Sequence, residues 1–167
     1  MKETGTILTC SKFVGEKIAQ KIPSIENETI IELGAGTGAV TQEILKKMNP
    51  AQKLICFEIN KKFCKILEKV PDKRIKVIND SAENISKYLK EKSSIIISTL
   101  PLAIMKKEKN DILKAVKKQL KPGGKFIQFQ YSKKDYKILK SFFNEVKVNF
   151  ILFNVLPGYI YTCSNTN

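Results

Sequence analysis

"IIELGAGTGAVTQEI", Ile30 to Ile44, sets an apolar run directly against three glycines and then a helical pattern. With Thr29 included, the run to Leu33 has the length of a buried strand, and Ala39 to Met48 repeats its apolar residues at helical spacing. Gly34, Ala35, Gly36 and Gly38 fall in the turn between them. Glycine lets a chain bend sharply and approach a ligand with no Cβ in the way. The spacing is GxGxG. It differs from the GxGxxG of dinucleotide sites and the GxxxxGK[ST] of triphosphate loops, and no lysine follows to hold phosphates.

Outward from this turn the same alternation continues. "KLICFEI" (Lys53 to Ile59), "IKVI" (Ile75 to Ile78), "SSIIIS" (Ser93 to Ser98) and "KFIQFQY" (Lys125 to Tyr131) read as further strands. Between them, "KKFCKILEKV", "AENISKYLKE" and "DILKAVKKQL" carry helical spacing, the last stopping at the turn "KPGG". A helix over Asp135 to Phe143 precedes two strands with no helix between them, "EVKVNFILFNV" and "GYIYTC". Short apolar strands alternating with amphipathic helices predict an α/β fold: a doubly wound, mostly parallel seven-stranded sheet with an antiparallel C-terminal strand. No repeat or linker divides the chain, so 1–167 reads as one domain, with 1–24 an N-terminal amphipathic segment.

The formal charge of +14 points to a polyanionic partner, either nucleic acid or an anionic membrane surface. Arg74 is the only arginine. Bidentate base and phosphate clamps favour arginine, whereas diffuse attraction to a charged surface works well with lysine. Lysine-rich solvated helix faces are the plainer account of the same charge. With no histidine in the chain, a Cys/His zinc site and every histidine-assisted nucleophile are excluded. Cys10, Cys56, Cys64 and Cys163 lack CxxC spacing and read as free thiols. No run approaches a membrane span, and "MKETGTILTCSKFVGEKI" lacks a signal-peptide core, so the expected location is cytoplasmic.

In a doubly wound sheet the ligand sits beyond the carboxyl ends of the strands, near the first strand. Glu58 ends the second strand, where a carboxylate can accept both hydroxyls of a ribose. "NDSAENI" follows the third, placing Asp80 where an adenine amino group can be held, with Ser81 and Ala82 in the adjacent turn. Glu32 stands just before the glycines and can face a cationic part of a ligand. Glycines and carboxylates without a phosphate-binding cation suit an adenosyl ligand that carries positive charge. S-adenosylmethionine, with its sulfonium and ammonium, is such a ligand.

"ELGAGTG", "FEIN", "NDSAENI" and "LKPGG" resemble, in order, the characteristic blocks of class I S-adenosylmethionine-dependent methyltransferases. The resemblance implies Glu32, Gly34, Gly36 and Gly38 around the methionine part, Glu58 and Ile59 at the ribose, and Asp80 and Ser81 near adenine. The acceptor block is "STLPLAIM", Ser98 to Met105. In the related adenine-N6 methyltransferases acting on rRNA it reads Asn-Leu-Pro-Tyr or a near variant, the amide holding the amino group and the aromatic stacking on the flipped base. Thr99 stands here at the Asn position and Leu102 at the aromatic one. The chain length also predicts no room for the helical C-terminal domain of those enzymes.

"CSKFVGEKIAQKI", "STLPLAIM", "LKPGGKFIQFQYS" and "FNVLPGYIYTC" are more similar to the soluble bacterial phospholipid N-methyltransferases. That resemblance implies a phosphatidylethanolamine-type amine as acceptor at the inner face of a membrane. The expected contacts are Thr99 and the backbone of Leu100, accepting from the amine, with Tyr131 against the head group. Adenine methylation and a non-catalytic RNA- or membrane-binding module remain the alternatives. Phe13, Val14, Ile18 and Ile22 form an apolar strip flanked by Lys12, Lys17 and Lys21, with Ile7 and Leu8 upstream. Such a helix fits two roles, lying in a membrane interface or packing on the sheet over the cofactor, and an open and a docked state would let it serve both.

Overall fold

The computed structural model describes residues 11–152 and 157–165. Ile7, Leu8, Cys10 and the 153–156 part of the closing block lie outside them. Seven strands form one sheet, in the spatial order β3-β2-β1-β4-β5-β7-β6. They are β1 (Thr29–Leu33), β2 (Lys53–Phe57), β3 (Ile75–Ile78), β4 (Ser93–Ser98), β5 (Leu120–Gln130), β6 (Glu145–Ile151) and β7 (Gly158–Ser164). The first five pair in parallel, while β7 runs antiparallel to both β5 and β6. This is the expected α/β architecture, with the chain reversing outward from β1 through β4.

Alternation along the central strands explains why helices cover both faces. Ile30, Ile95 and Ile97 point into one core, which α1 (Lys12–Ala19), α2 (Ala39–Lys47) and α3 (Lys61–Leu67) close. Ile31, Leu33 and Ile96 point into the other, closed by α4 (Ile85–Tyr88), α5 (Glu108–Gln119) and α6 (Tyr136–Phe142). A strand buried on both faces must be apolar through its middle, as Ile95, Ile96 and Ile97 make β4.

Several boundaries differ from the sequence reading, each for a local reason. The "KPGG" turn lies within the span of β5. Leu120 pairs with Ser93, and the ladder resumes at Lys125 opposite Ile95, so the turn bulges out of the strand. The helix expected over "AENISKYLKE" is a single 3₁₀ turn, Ala82–Asn84, followed by the short α4. Arg74 is a clamp on the fold. It donates to the Leu45, Met48 and Asn49 carbonyls at the end of α2 and pairs with Asp72 at 2.6 Å. Cys56, Cys64 and Cys163 are buried free thiols.

The N-terminal strip takes the second of its two roles. Ser11 caps α1 by accepting from the Val14 N–H at 3.3 Å. Val14 and Ile18 are fully buried, and Ile22 nearly so. Gly15 lets α1 cross α2 closely: a Cβ there would stand 2.9 Å from Glu43 Cγ and 3.2 Å from the Ala39 carbonyl oxygen. The apolar face of α1 is therefore core, with its lysine-bearing flank outside. Among the described residues no helix is long and apolar enough to cross a membrane.

Candidate active site

Parallel pairing in register brings four strand exits side by side: Asn79 and Asp80 after β3, Glu58 after β2, the glycine turn after β1, and Thr99 after β4. Backbone bonds stitch this row together. Gly34 N–H donates to the Phe57 carbonyl at 2.9 Å, Glu58 N–H to Ile78 at 3.0 Å, and Thr99 N–H to Leu33 at 3.2 Å.

Gly34, Gly36 and Gly38 have φ of 75°, 57° and 91°, a region L side chains rarely adopt. Their surroundings differ. A Cβ on Gly34 would lie 2.6 Å from Leu100 Cδ2, and one on Gly38 would lie 3.0 Å from Leu67 Cδ2. On Gly36 it would meet nothing within 4 Å. The middle glycine thus borders a cradle that the protein itself does not fill. Gly38 also opens α2, whose first N–H groups point back at the turn.

Glu58 is nearly buried, and its carboxylate joins two loops. One oxygen accepts from Gly36 N–H and the other from Asn60 N–H, both at 2.8 Å. Each carboxylate oxygen keeps a lone pair for a ribose hydroxyl. Asn79, which carried no expected role, donates from Nδ2 to the Glu58 and Ile59 carbonyls at 2.9 and 3.0 Å. This fixes the chain at Ile59, whose side chain is left half-exposed on the rim. Asp80 accepts from Asn84 Nδ2, Tyr88 hydroxyl and Ser81 N–H. Those donors, the Asn84 amide foremost, hold its carboxyl below the ordinary range. Tyr88 in turn stands edge-on to Phe57, with ring centroids 5.8 Å apart, and Ala82 is buried beneath the turn.

Glu32 is fully buried on the α2 face of β1. Its Oε2 accepts from the Thr41 hydroxyl at 2.7 Å and the Cys56 thiol at 3.3 Å, while Oε1 has no partner among the described residues. Burial pushes its pKa up to about 7, against the pull of the Thr41 and Cys56 bonds. A buried carboxyl with an unused oxygen, lying under a glycine turn, gains from a nearby cation. The open cradle at Gly36, the oriented Glu58 and the orphaned Glu32 oxygen together fit S-adenosylmethionine.

On the acceptor side, Thr99 hydroxyl donates to the Gly34 carbonyl at 2.9 Å. The Leu100 carbonyl accepts from Gln128 Nε2 at 3.0 Å and Gln130 Nε2 at 2.8 Å. Leu102 N–H donates to the same oxygen at 2.8 Å, so with three donors on it the carbonyl orients the loop and has no lone pair left for an amine. Both glutamines are buried. The signal for them was present in "FIQFQY", where polar residues two apart in an apolar strand share one face. Tyr131 follows β5, edge-on to Phe129 at 4.9 Å. Leu102 is fully buried in the α5-side core. A salt bridge of 2.8 Å from Lys109 to buried Asp135 ties the start of α5 to the β5–α6 turn.

Comparison with known proteins shows the family to which the chain belongs. The family model for ribosomal RNA adenine dimethylase matches residues 5–120. An ornithine lipid N-methyltransferase from Singulisphaera acidiphila is 27% identical over 161 residues, 92% of this chain and 84% of that protein. Ribosomal RNA small subunit methyltransferase A from Mesomycoplasma hyopneumoniae is 35% identical over 107 residues, 64% of this chain and 39% of that protein. Among solved structures, a precorrin-6y C5,15-methyltransferase from Geobacter metallireducens superposes with a TM-score of 0.74 at 16% identity, over 93% of this chain and 87% of that one. Fibrillarin from Aeropyrum pernix, crystallised with natively bound S-adenosylmethionine, gives 0.70 at 16% identity, over 91% and 74%. The chain belongs to the ribosomal RNA adenine dimethylase family and is an S-adenosylmethionine-dependent methyltransferase.

Proposed function

We propose that the chain methylates the amine of an amino lipid, phosphatidylethanolamine or a related head group. The observation that carries this reading is the acceptor block. Leu102, at the position of the base-stacking aromatic, is sealed in the core, and Thr99 replaces the amide. A flipped adenine would find neither a stacking face nor a paired donor and acceptor there. The near full-length relative supports the same reading, since its name assigns it an ornithine lipid. The rRNA relative aligns over 39% of its own length.

S-adenosylmethionine supplies an electrophilic methyl group on its sulfonium sulfur. The chain's contribution is alignment and exclusion of water. Glu58, held by Gly36 and Asn60, fixes the ribose, and Asp80 with Ser81 sets the adenine end. Leu100, pinned by Gln128 and Gln130 and packed on Gly34, forms the wall between cofactor and acceptor. Thr99 Oγ1 spends its proton on the Gly34 carbonyl and keeps its lone pairs for an amine N–H. Tyr131 contacts the head group. An amine must be neutral to attack, and with no histidine in the chain its proton leaves to water at the open edge.

The test is transfer of labelled methyl from S-adenosylmethionine to mixed bacterial lipid and to bacterial RNA, counted separately after solvent extraction. Label in the organic phase, migrating as a methylated amino lipid, is expected. Label in RNA with none in lipid would sink the proposal and restore adenine as acceptor.

A further inference from the structure

The burial of the α1 strip leaves open which surface of the described residues would meet a lipid. The three most exposed large apolar side chains among the described residues answer by their position. Ile104, Phe150 and Leu152 are 71%, 55% and 64% exposed. Ile104 lies in the segment leaving β4. Phe150 and Leu152 lie at the end of β6, which runs antiparallel to β7 and therefore in the same sense as β4. All three emerge at the carboxyl edge of the sheet, the edge that carries Thr99 and Tyr131. Three strand spacings separate β4 from β6, about 14 Å. Leu100 and Met105 near Ile104, and Val148 and Tyr159 near Phe150, pack on the same core cluster, so the groups share one layer.

Lysines sit among these side chains. Lys106 and Lys107 follow Met105, and Lys133 and Lys134 lie beyond β5; all four are exposed and none forms an ion pair among the described residues. Lys133 Nζ lies 5.1 Å over the Tyr159 ring, which meets the Phe150 ring at 5.3 Å. Apolar tips backed by unpaired ammonium groups complement an anionic bilayer: the tips enter the acyl boundary and the lysines stay at head-group level.

We propose that this edge, over β4, β5, β7 and β6, is the face on which the chain lies against an anionic lipid bilayer. The proposal rests on the amino-lipid reading, and it presents the acceptor side of the site to the lipid.

The experiment is sedimentation with vesicles of equimolar phosphatidylcholine and phosphatidylglycerol against pure phosphatidylcholine. The full chain is compared with Phe150→Ser/Leu152→Ser, Lys106→Gln/Lys107→Gln and Lys117→Gln/Lys118→Gln. The last pair removes the same charge from the far end of α5, at the opposite edge. Thermal melts and S-adenosylmethionine affinity check that each variant folds. Preference for anionic vesicles is expected, falling roughly tenfold or more in either rim variant and under about threefold in the control. Equal loss in the control would overturn this face in favour of diffuse charge. No vesicle binding by a chain that methylates phosphatidylethanolamine in detergent micelles would also overturn it, while the acceptor reading stood. Failure to methylate in micelles, with rim-dependent binding intact, would support the surface and sink the acceptor reading. Retention on duplex RNA lost in the rim variants, with no vesicle binding, would overturn the membrane and favour a nucleic-acid face.

Discussion

Gly36→Ala separates a ligand cradle from an ordinary turn because the chain contains its own control. Gly36 and Gly123 have φ of 57° and 71°, and at neither would a Cβ meet any atom within 4 Å. An alanine at either position therefore carries the same backbone penalty and no clash. Left-handed backbone costs an L-residue about 1–2 kcal/mol, less roughly 0.4–1 kcal/mol regained from a stiffer unfolded chain. The net of about 1 kcal/mol lowers Tm by ~2–4 °C in a chain of this size. Gly123 lies in the bulge at the start of β5, at the amino edge, whereas Gly36 borders the cradle. If S-adenosylmethionine fills that space, a methyl there overpacks the complex by about 1–3 kcal/mol, which weakens binding by roughly five- to 150-fold. Differential scanning fluorimetry and titration calorimetry on both variants read the two effects separately. Equal Tm losses with loss of affinity only in Gly36→Ala are expected. A Gly36→Ala variant that binds with wild-type Kd would refute the assignment of the cradle.

Three further outcomes follow from the same geometry. Glu32 is pushed up to about 7 from 4.5, so the folded chain holds its proton more tightly than the unfolded one. The stability contributed by neutral Glu32 is full below pH 4.5 and is lost as pH rises towards 7, by an amount on the order of 3 kcal/mol. Urea midpoints should fall over that window, and Glu32→Gln should flatten the fall; a wild-type profile with no slope there would contradict the burial argument. Arg74→Lys removes a fork that reaches three carbonyls and should cost about 2 kcal/mol in denaturant unfolding, with unchanged stability counting against the clamp. Leu102→Phe should overpack the core by ~1–3 kcal/mol in the same assay, and a neutral result would mean the position can open to hold an aromatic.

The strand exits were legible because the chemistry there is local. GxGxG after an apolar run, a carboxylate after the next strand and "ND" after the third are each fixed by backbone direction, and parallel register alone sets them in a row. The partners that orient them were not legible. Thr41, Asn79, Asn84 and Tyr88 are ordinary polar residues on helices and loops, and nothing in their spacing says which carboxylate or carbonyl they meet. Gln128 and Gln130 are intermediate: their period of two puts them on one buried face, but their shared target, the Leu100 carbonyl, comes from a segment near position 100 that only the β4–β5 pairing brings close.

The first helix shows the same limit from the other side. An apolar strip with a basic flank satisfies a membrane interface and a protein core equally well, since both solvents for that strip are hydrocarbon. What separates them is the partner surface. Gly15 is the residue that matters, because only a position without a side chain lets α1 approach Ala39 and Glu43 of α2 as closely as it does. Once that crossing is made, Val14 and Ile18 have no exposed area to offer a lipid. Any bilayer contact by the described residues must then use groups the fold leaves outside, and the three most exposed large apolar ones among them emerge at the carboxyl edge of the sheet. Hence, under the amino-lipid proposal, core packing on one side of the sheet bears on where, along its margin, the acceptor would be received.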